Sequence, residues 1–311
     1  MNNPALVLRE LTRSFGPVEA VRELSFQVQR GELFGIVGPD GAGKTSTLRM
    51  LAGVLPPSSG DAEVLGTSVA RDPEGVKPHI AYMSQRFGLY TDLTVRENIE
   101  FYADLYRVPR ADRPARLERL YRFSNLGEFQ NRLAGQLSGG MKQKLGLCCA
   151  LVHHPEILLL DEPTFGVDPI SRRDLWLILH QMIGEGMTIV ISTSYLDEAE
   201  RCDRVALLHQ GRVLALAPPA ELQRSLGGVL LAVQAADPRR ASATLRTVEG
   251  VVSAALFGHT VHVLLRDPSA EARVVAALAE SGNAVHDRQR VAASLEDVFI
   301  DLVNAGNAHA Q

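Results

Sequence analysis

The sequence predicts an α/β fold: a large domain carrying a helical insert, followed by a small C-terminal α+β domain. Three observations carry this expectation. Short continuous apolar runs at Leu33–Val37, Ile157–Asp161 and Thr188–Ser192 are typical of strands covered on both faces in a parallel sheet. Between about residues 87 and 147 the apolar positions recur at helical spacing (Ile99, Tyr102, Leu105, Tyr106; Leu117, Leu120, Tyr121), with no strand-like run among them. After Pro218-Pro219 and Gly227-Gly228 the composition shifts, which sets an expected boundary near residue 226. The large domain is therefore expected at 4–225, the small one at 226–305, and a tail at 306–311.

The bulk numbers agree with two folded domains. A chain of 311 residues can bury two cores, and 46% hydrophobic with 22% charged residues is the balance of a folded globular protein. The net charge of -4 supplies no global attraction for nucleic acid or anionic lipid. Cys148, Cys149 and Cys202 have neither the even count of a disulfide framework nor metal-site spacing, so they read as reduced packing residues. The first ten residues lack the basic start and apolar core of a secretory signal, and runs such as Ile157–Leu160 and Ala206–Leu208 are too short to span a bilayer. Work at a membrane would need another chain's helices.

In the tail the pattern reads strand Val229–Gln234, helix Pro238–Val248, strands Val251–Phe257 and Thr260–Leu265, helix Ser269–Glu280 and strand Ala284–Arg290. This β-α-β-β-α-β order is ferredoxin-like, with Phe257-Gly258-His259-Thr260 as the hairpin turn. A last helix, Ser294–Leu302, begins at a good N-cap with Glu296 and Asp297 in its first turn.

Gly38-Pro39-Asp40-Gly41-Ala42-Gly43-Lys44-Thr45 matches G-x-x-x-x-G-K-[ST] and lies between a strand and a helical run, Thr45–Ala52. Glycines let successive backbone N–H groups turn inward around phosphate oxygens, and the helix N-terminus adds its positive end. Gly38, Asp40, Gly41, Ala42, Gly43, Lys44, Thr45 and Ser46 are thus the candidate nucleotide-binding set, with Lys44 on the outer phosphates and Thr45 on Mg²⁺. The strand Ile157–Leu160 ends in Asp161 and Glu162. Asp161 suits the Mg²⁺ hydration shell and Glu162 a general base that polarises the attacking water. Ser138-Gly139-Gly140 opens a second helical run, Lys142–Leu151. It is either a plain helix-entry loop or a second anion site that grips the γ-phosphate of ATP bound to a partner.

Together these residues resemble the nucleotide-binding domain of the ATP-binding cassette (ABC) superfamily across nearly all of 4–225. The resemblance implies that Gln85 touches Mg²⁺ and the attacking water, that Asp168 crosses a dimer interface, and that Phe15 stacks on adenine. Met141 stands where the family's signature usually ends in glutamine. Ser194 stands where a histidine normally contacts the γ-phosphate, so it joins Glu162 and Gln85 in the expected catalytic set, and turnover is expected to be reduced. Ser294-Leu295-Glu296-Asp297-Val298-Phe299 resembles the closing segment of ATPases serving drug, lipid or polysaccharide exporters, although an amphipathic capping helix explains the same residues. The resemblance implies an ATPase with ATP and Mg²⁺ as cofactors that dimerises with a copy or a homologue. It would drive export through a polytopic membrane permease from the cytoplasmic face of the cell membrane. A non-transport ATP-gated regulator with weak hydrolysis is the alternative that Ser194 keeps open. A ribosome- or DNA-associated relative would be expected to show tandem cassettes, a basic linker or a zinc-type insertion, so no nucleic-acid partner is expected.

Overall fold

The computed structural model describes residues 3–85 and 88–309. Residue 87, where the insert was expected to begin, and residues 310–311 of the expected tail lie outside the described residues. The chain divides into two compact units, 1–198 with 202–216, and 199–201 with 217–311.

From the N-terminus the elements are β1 (Leu6–Phe15), β2 (Val18–Val28), β3 (Leu33–Val37), α1 (Lys44–Leu51), β4 (Ser59–Val64), β5 (Thr67–Ser68), α2 (Pro73–Val76) and β6 (Ile80–Met83). There follow α3 (Val95–Leu105), α4 (Arg113–Ser124), α5 (Gly139–Leu151), β7 (Ile157–Asp161), α6 (Pro169–Gly184), β8 (Thr188–Thr193), α7 (Leu196–Ala199), β9 (Arg204–His209) and β10 (Arg212–Ala217).

Six strands form one sheet in the order β10-β9-β3-β8-β7-β6. The pairings of β3 with β8 and β9, and of β7 with β6 and β8, are parallel. Every residue of β3, β7 and β8 is buried, as unbroken apolar runs require when both faces are covered. A second, antiparallel sheet has the order β2-β1-β4-β5 and was not expected. Glu10 (φ 50°) and Glu23 (φ 52°) sit at irregularities in the β1–β2 register, so the apolar alternation breaks within each strand. Leu8, Leu11, Leu24 and Val64 of this sheet share one core with Leu48 and Leu51 of α1 and with Ile36, Leu159 and Val190 of the parallel strands. Burying each such side chain contributes about 1.5–3 kcal/mol, which clamps α1 between the two sheets.

The insert is helical, as its periodicity implies. Thr94 and Glu97 form a capping box that starts α3. The buried Asn98 amide donates to the carbonyls of Tyr90, Leu93 and Thr94, while its side-chain oxygen accepts from Tyr90 N, and this pins the loop ahead of the helix. Both α3 and α4 pack on α5.

The second unit contains α8 (Pro219–Ser225), β11 (Val229–Ala235), α9 (Pro238–Leu245), β12 (Val251–Phe257), β13 (Thr260–Leu265), α10 (Ala270–Glu280), β14 (Val285–Arg290) and α11 (Leu295–His309). Its sheet runs β12-β13-β11-β14, with all pairings antiparallel. Leu231, Val233, Val261 and Val263 pack with Leu245 of α9 and with Val274 and Leu278 of α10. The unit begins at Ala217 instead of near 226 because α8, with Leu222 buried, packs on α11. The last helix continues to His309, past the Leu302 end that the sequence pattern suggests.

Candidate functional site

Three glycines shape the loop between β3 and α1. A side chain at Gly38 would put its Cβ 2.2 Å from the carbonyl oxygen of Leu208, and one at Gly43 would meet the oxygen of Ala20 at 2.5 Å. Gly41 and Gly43 have φ of 79° and 101°, the left-handed region that glycine enters without strain. Lys44 follows at the first turn of α1 and is only 4% exposed. Its Nζ donates to Gly38 O at 2.7 Å and Pro39 O at 3.1 Å and pairs with Glu162 Oε1 at 3.0 Å. The lysine charge is thereby folded back over the loop.

Asp161 ends β7 opposite Ser192 of β8, and this register brings a hydroxyl between the two acids. Ser192 Oγ donates to Asp161 Oδ1 at 2.8 Å and accepts from Glu162 N at 3.0 Å. Thr45 Oγ1 donates to the same Asp161 oxygen at 3.0 Å, and the Tyr82 hydroxyl donates to Oδ2 at 3.1 Å. Burial, and then the Asp161 charge, push the Tyr82 hydroxyl up to about 12, so it remains a donor at neutral pH. Glu162 adopts φ 47°, strained for a non-glycine residue, and its Oε2 accepts from Gln85 Nε2 at 3.2 Å. Lys44, Thr45, Gln85 and Glu162 line a cleft of about 320 Å³ together with Ala20, Asp40, Gly41, Ala42, Gly43, Ser46 and Phe165, while the buried Asp161 stands behind Thr45, held by Ser192 and Tyr82.

The structure thus brings together most of the residues singled out in the phosphate loop, together with Gln85, Asp161 and Glu162. Gly38 and Asp161 adjoin the lining through Lys44 and Thr45 without being part of it, and Phe15, Ser138, Gly139, Gly140, Asp168 and Ser194 do not line this cleft. Phe15 is 47% exposed at the end of β1, with the Arg13 guanidinium 4.7 Å from its ring centre. Ser138 caps α5, its Oγ accepting from Met141 N, and Gly139 faces open space. Gly140 is buried, and a Cβ there would fall 2.1 Å from Ser171 Oγ, so this glycine lets α5 approach α6. Asp168 caps α6, and the amides of Ser171 and Ile170 hold its carboxyl below the usual carboxylate range. Ser194 follows directly on β8.

Tyr82, Ser192, Ala20 and Phe165 belong to the site and were not anticipated. Nothing local marks them; Ser192 meets Asp161 only through strand register.

Thr45 Oγ1 and Asp161 Oδ1 place two hard oxygen donors together beside the phosphate loop. Among the described residues there is no group of three or more His, Cys, Asp or Glu that could hold a metal. The pair fits Mg²⁺, which keeps waters and substrate phosphates as ligands instead of an all-protein cage.

The family profile described as ABC transporter matches residues 21–165. Over 230 residues the chain is 50% identical to the probable multidrug ABC transporter ATP-binding protein YbhF of Escherichia coli (strain K12), covering 73% of this chain and 40% of that protein. The chain therefore spans about two fifths of that relative's length. Over 298 residues it is 35% identical to the Nod factor export ATP-binding protein I of Burkholderia lata, covering 94% of this chain and 95% of that one. A solved dimeric ATP-binding cassette, in a post-hydrolysis state bound to ADP and Pi, aligns with a TM-score of 0.62 and 25% identity over 68% of this chain and 98% of its own.

Proposed function

The chain belongs to the ABC transporter family, among its ATP-binding proteins, and from that premise we propose that it is the ATPase subunit of an export-type transporter. In this reading it closes with a copy of itself or a homologous cassette around two ATP molecules. The observation that carries the reading is the convergence of Lys44, Thr45, Glu162 and Gln85 on one cleft beyond the ends of β3, β6 and β7, with Asp161 bonded to Thr45 behind it.

Backbone N–H groups of Gly41–Ser46 cradle the phosphates at the N-terminus of α1, and Lys44 neutralises the outer ones. Thr45 and Asp161 hold the Mg²⁺ site, with Ser192 and Tyr82 fixing the carboxylate. Mg²⁺ held there would supply charge neutralisation at the phosphates. Glu162, steadied by Gln85, orients the attacking water and takes its proton. Phe15, exposed beside Arg13, stacks on adenine. Ser138 and Gly139, at the exposed start of α5, and Asp168, at the start of α6, face the partner cassette and its γ-phosphate.

No helix among the described residues is long and apolar enough to cross a membrane. The reading therefore assigns membrane passage to a separate polytopic permease, with this chain peripheral on the cytoplasmic face and the insert transmitting motion. The multidrug and Nod factor relatives support an organic export cargo. The second unit serves as an accessory domain, and its strand order β12-β13-β11-β14 supports the ferredoxin-like expectation. Ser194, in place of the family histidine, favours slow turnover.

The test is Lys44→Ala in the full-length chain, titrated with ATP and Mg²⁺ by calorimetry. Loss of tight binding is expected. Equal affinity of variant and parent would remove the basis of the proposal.

A further inference from the structure

We infer that Glu198 is a positioning residue for hydrolysis, tying the turn after Glu162, the loop bearing Ser194 and the first turn of α6 into one unit. The inference rests on the ATPase reading above. Glu198 lies in α7 with its side chain 1% exposed. Its Oε2 accepts from Thr164 Oγ1 at 2.8 Å and from Thr193 Oγ1 at 3.1 Å. Its Oε1 lies 3.3 Å from Arg172 Nε, yet neither atom has an aligned hydrogen bond among the described residues.

Each partner stands beside a residue of the proposed chemistry. Thr164 is two positions after Glu162, in a turn closed by Phe165 N to Glu162 O and Val167 N to Thr164 O. Thr193 precedes Ser194, and its Oγ1 also accepts from Tyr195 N at 3.0 Å. Arg172 follows Ser171, on which Gly140 packs, and its own amide donates to Asp168 O at 2.9 Å. The Arg172 guanidinium also lies 4.5 Å from the Tyr195 ring centre, a second tie from α6 to the Ser194 loop.

Stability alone is a poor account of this carboxylate. Desolvating a charge is costly, a buried ion pair is weak evidence for stability, and an apolar residue fills such a space at least as well. What the charge adds is a single acceptor reached by hydroxyls from two loops and faced by a cation from a helix. The position of Ser194 relative to Glu162 then depends on Glu198, as does the setting of the Asp168 and Ser138–Gly140 segments that face the partner cassette. Glu198 thus links a chain's own hydrolytic site to the half-site that it offers its partner.

The test uses the full-length chain with Glu198→Gln, which keeps the shape and removes the charge. We expect kcat to fall about 10- to 100-fold, the scale that a displacement of about 1 Å produces, with the Kd for ATP unchanged. Ser194→His should then change kcat in the parent but not in the Glu198→Gln background, a non-additivity that a purely structural role would not create. Unchanged kcat, additive effects of the two substitutions, or a Kd that weakens in step with lost Tm would each overturn the inference. Should Glu198→Gln fail to fold, Thr164→Val removes one donor to Glu198 at nearly constant size. It must show the same split between kcat and Kd, and its absence overturns the inference equally. A parent chain that binds ATP but never turns it over refutes the ATPase reading itself, and the inference with it.

Discussion

Gly140→Ala separates two roles that coincide at one residue, because the same glycine belongs to the proposed partner-facing segment and to the contact between α5 and α6. The added Cβ would lie 2.1 Å from Ser171 Oγ and 2.2 Å from Ser171 Cβ. Rotation of the serine can remove the first clash but not the second, since Cβ is fixed to the backbone; the helices must part. Overpacking of this kind costs about 1–3 kcal/mol, and replacing glycine by alanine in a helix returns about 0.5–1 kcal/mol, less in a first turn, for a net loss of about 1–2 kcal/mol. At about 2–4 °C per kcal/mol for a domain of this size, Tm should fall by about 2–8 °C. Thermal unfolding of the full chain followed by circular dichroism measures it. Gly139→Ala is the matched control, with nothing within 4 Å of its Cβ, and should leave Tm unchanged or slightly raised. Ser171→Gly removes both clashing atoms and should restore most of the loss in the Gly140→Ala background. Equal Tm for the Gly139 and Gly140 variants would refute the packing role and return Gly140 to the partner interface alone.

Ser194→His should raise kcat with nearly unchanged ATP affinity, by up to about 10²–10³ if one transition-state contact is missing; a parent already turning over at about 1 s⁻¹ or faster, with no gain in the variant, would show an adapted site. Ending the chain after Leu216 should leave a soluble cassette with intact ATP affinity, whereas ending it near 226 leaves α8 and its buried Leu222 without α11 and should lower solubility. Calorimetry and sedimentation of both truncations decide this, and lost affinity in the shorter one would make the second unit part of the cassette core. Burial, and then the Arg116 charge, depress the His153 imidazole, which stacks on Tyr106. The unfolded chain binds the proton more readily, so this contribution is present above about pH 6.5 and is lost as pH falls from there through the lower value of the folded state. Denaturant midpoints between pH 8 and 5 should therefore drop less steeply in His153→Gln, and an equal slope would count against the assignment.

The chemistry confined to consecutive residues was legible without coordinates. Lys44 and Thr45 follow Gly43 directly and Asp161-Glu162 close an apolar strand, so spacing alone singled out two segments that the structure brings together. Unbroken burial likewise marked β3, β7 and β8, because strands covered on two faces carry no polar alternation. The antiparallel β1–β2–β4 sheet escaped because irregular register near Glu10 and Glu23 disrupts the period on which pattern reading depends. Tertiary structure alone decided which segments meet: Ser192 and Tyr82 on Asp161, Gly140 against Ser171, α8 against α11, and Thr164, Thr193 and Arg172 around Glu198. The physical reason is that local propensity and polarity act along the chain over a few residues, whereas these contacts follow from strand order, register and helix approach. Those are set by packing between segments up to about a hundred residues apart, and no short window of sequence encodes them.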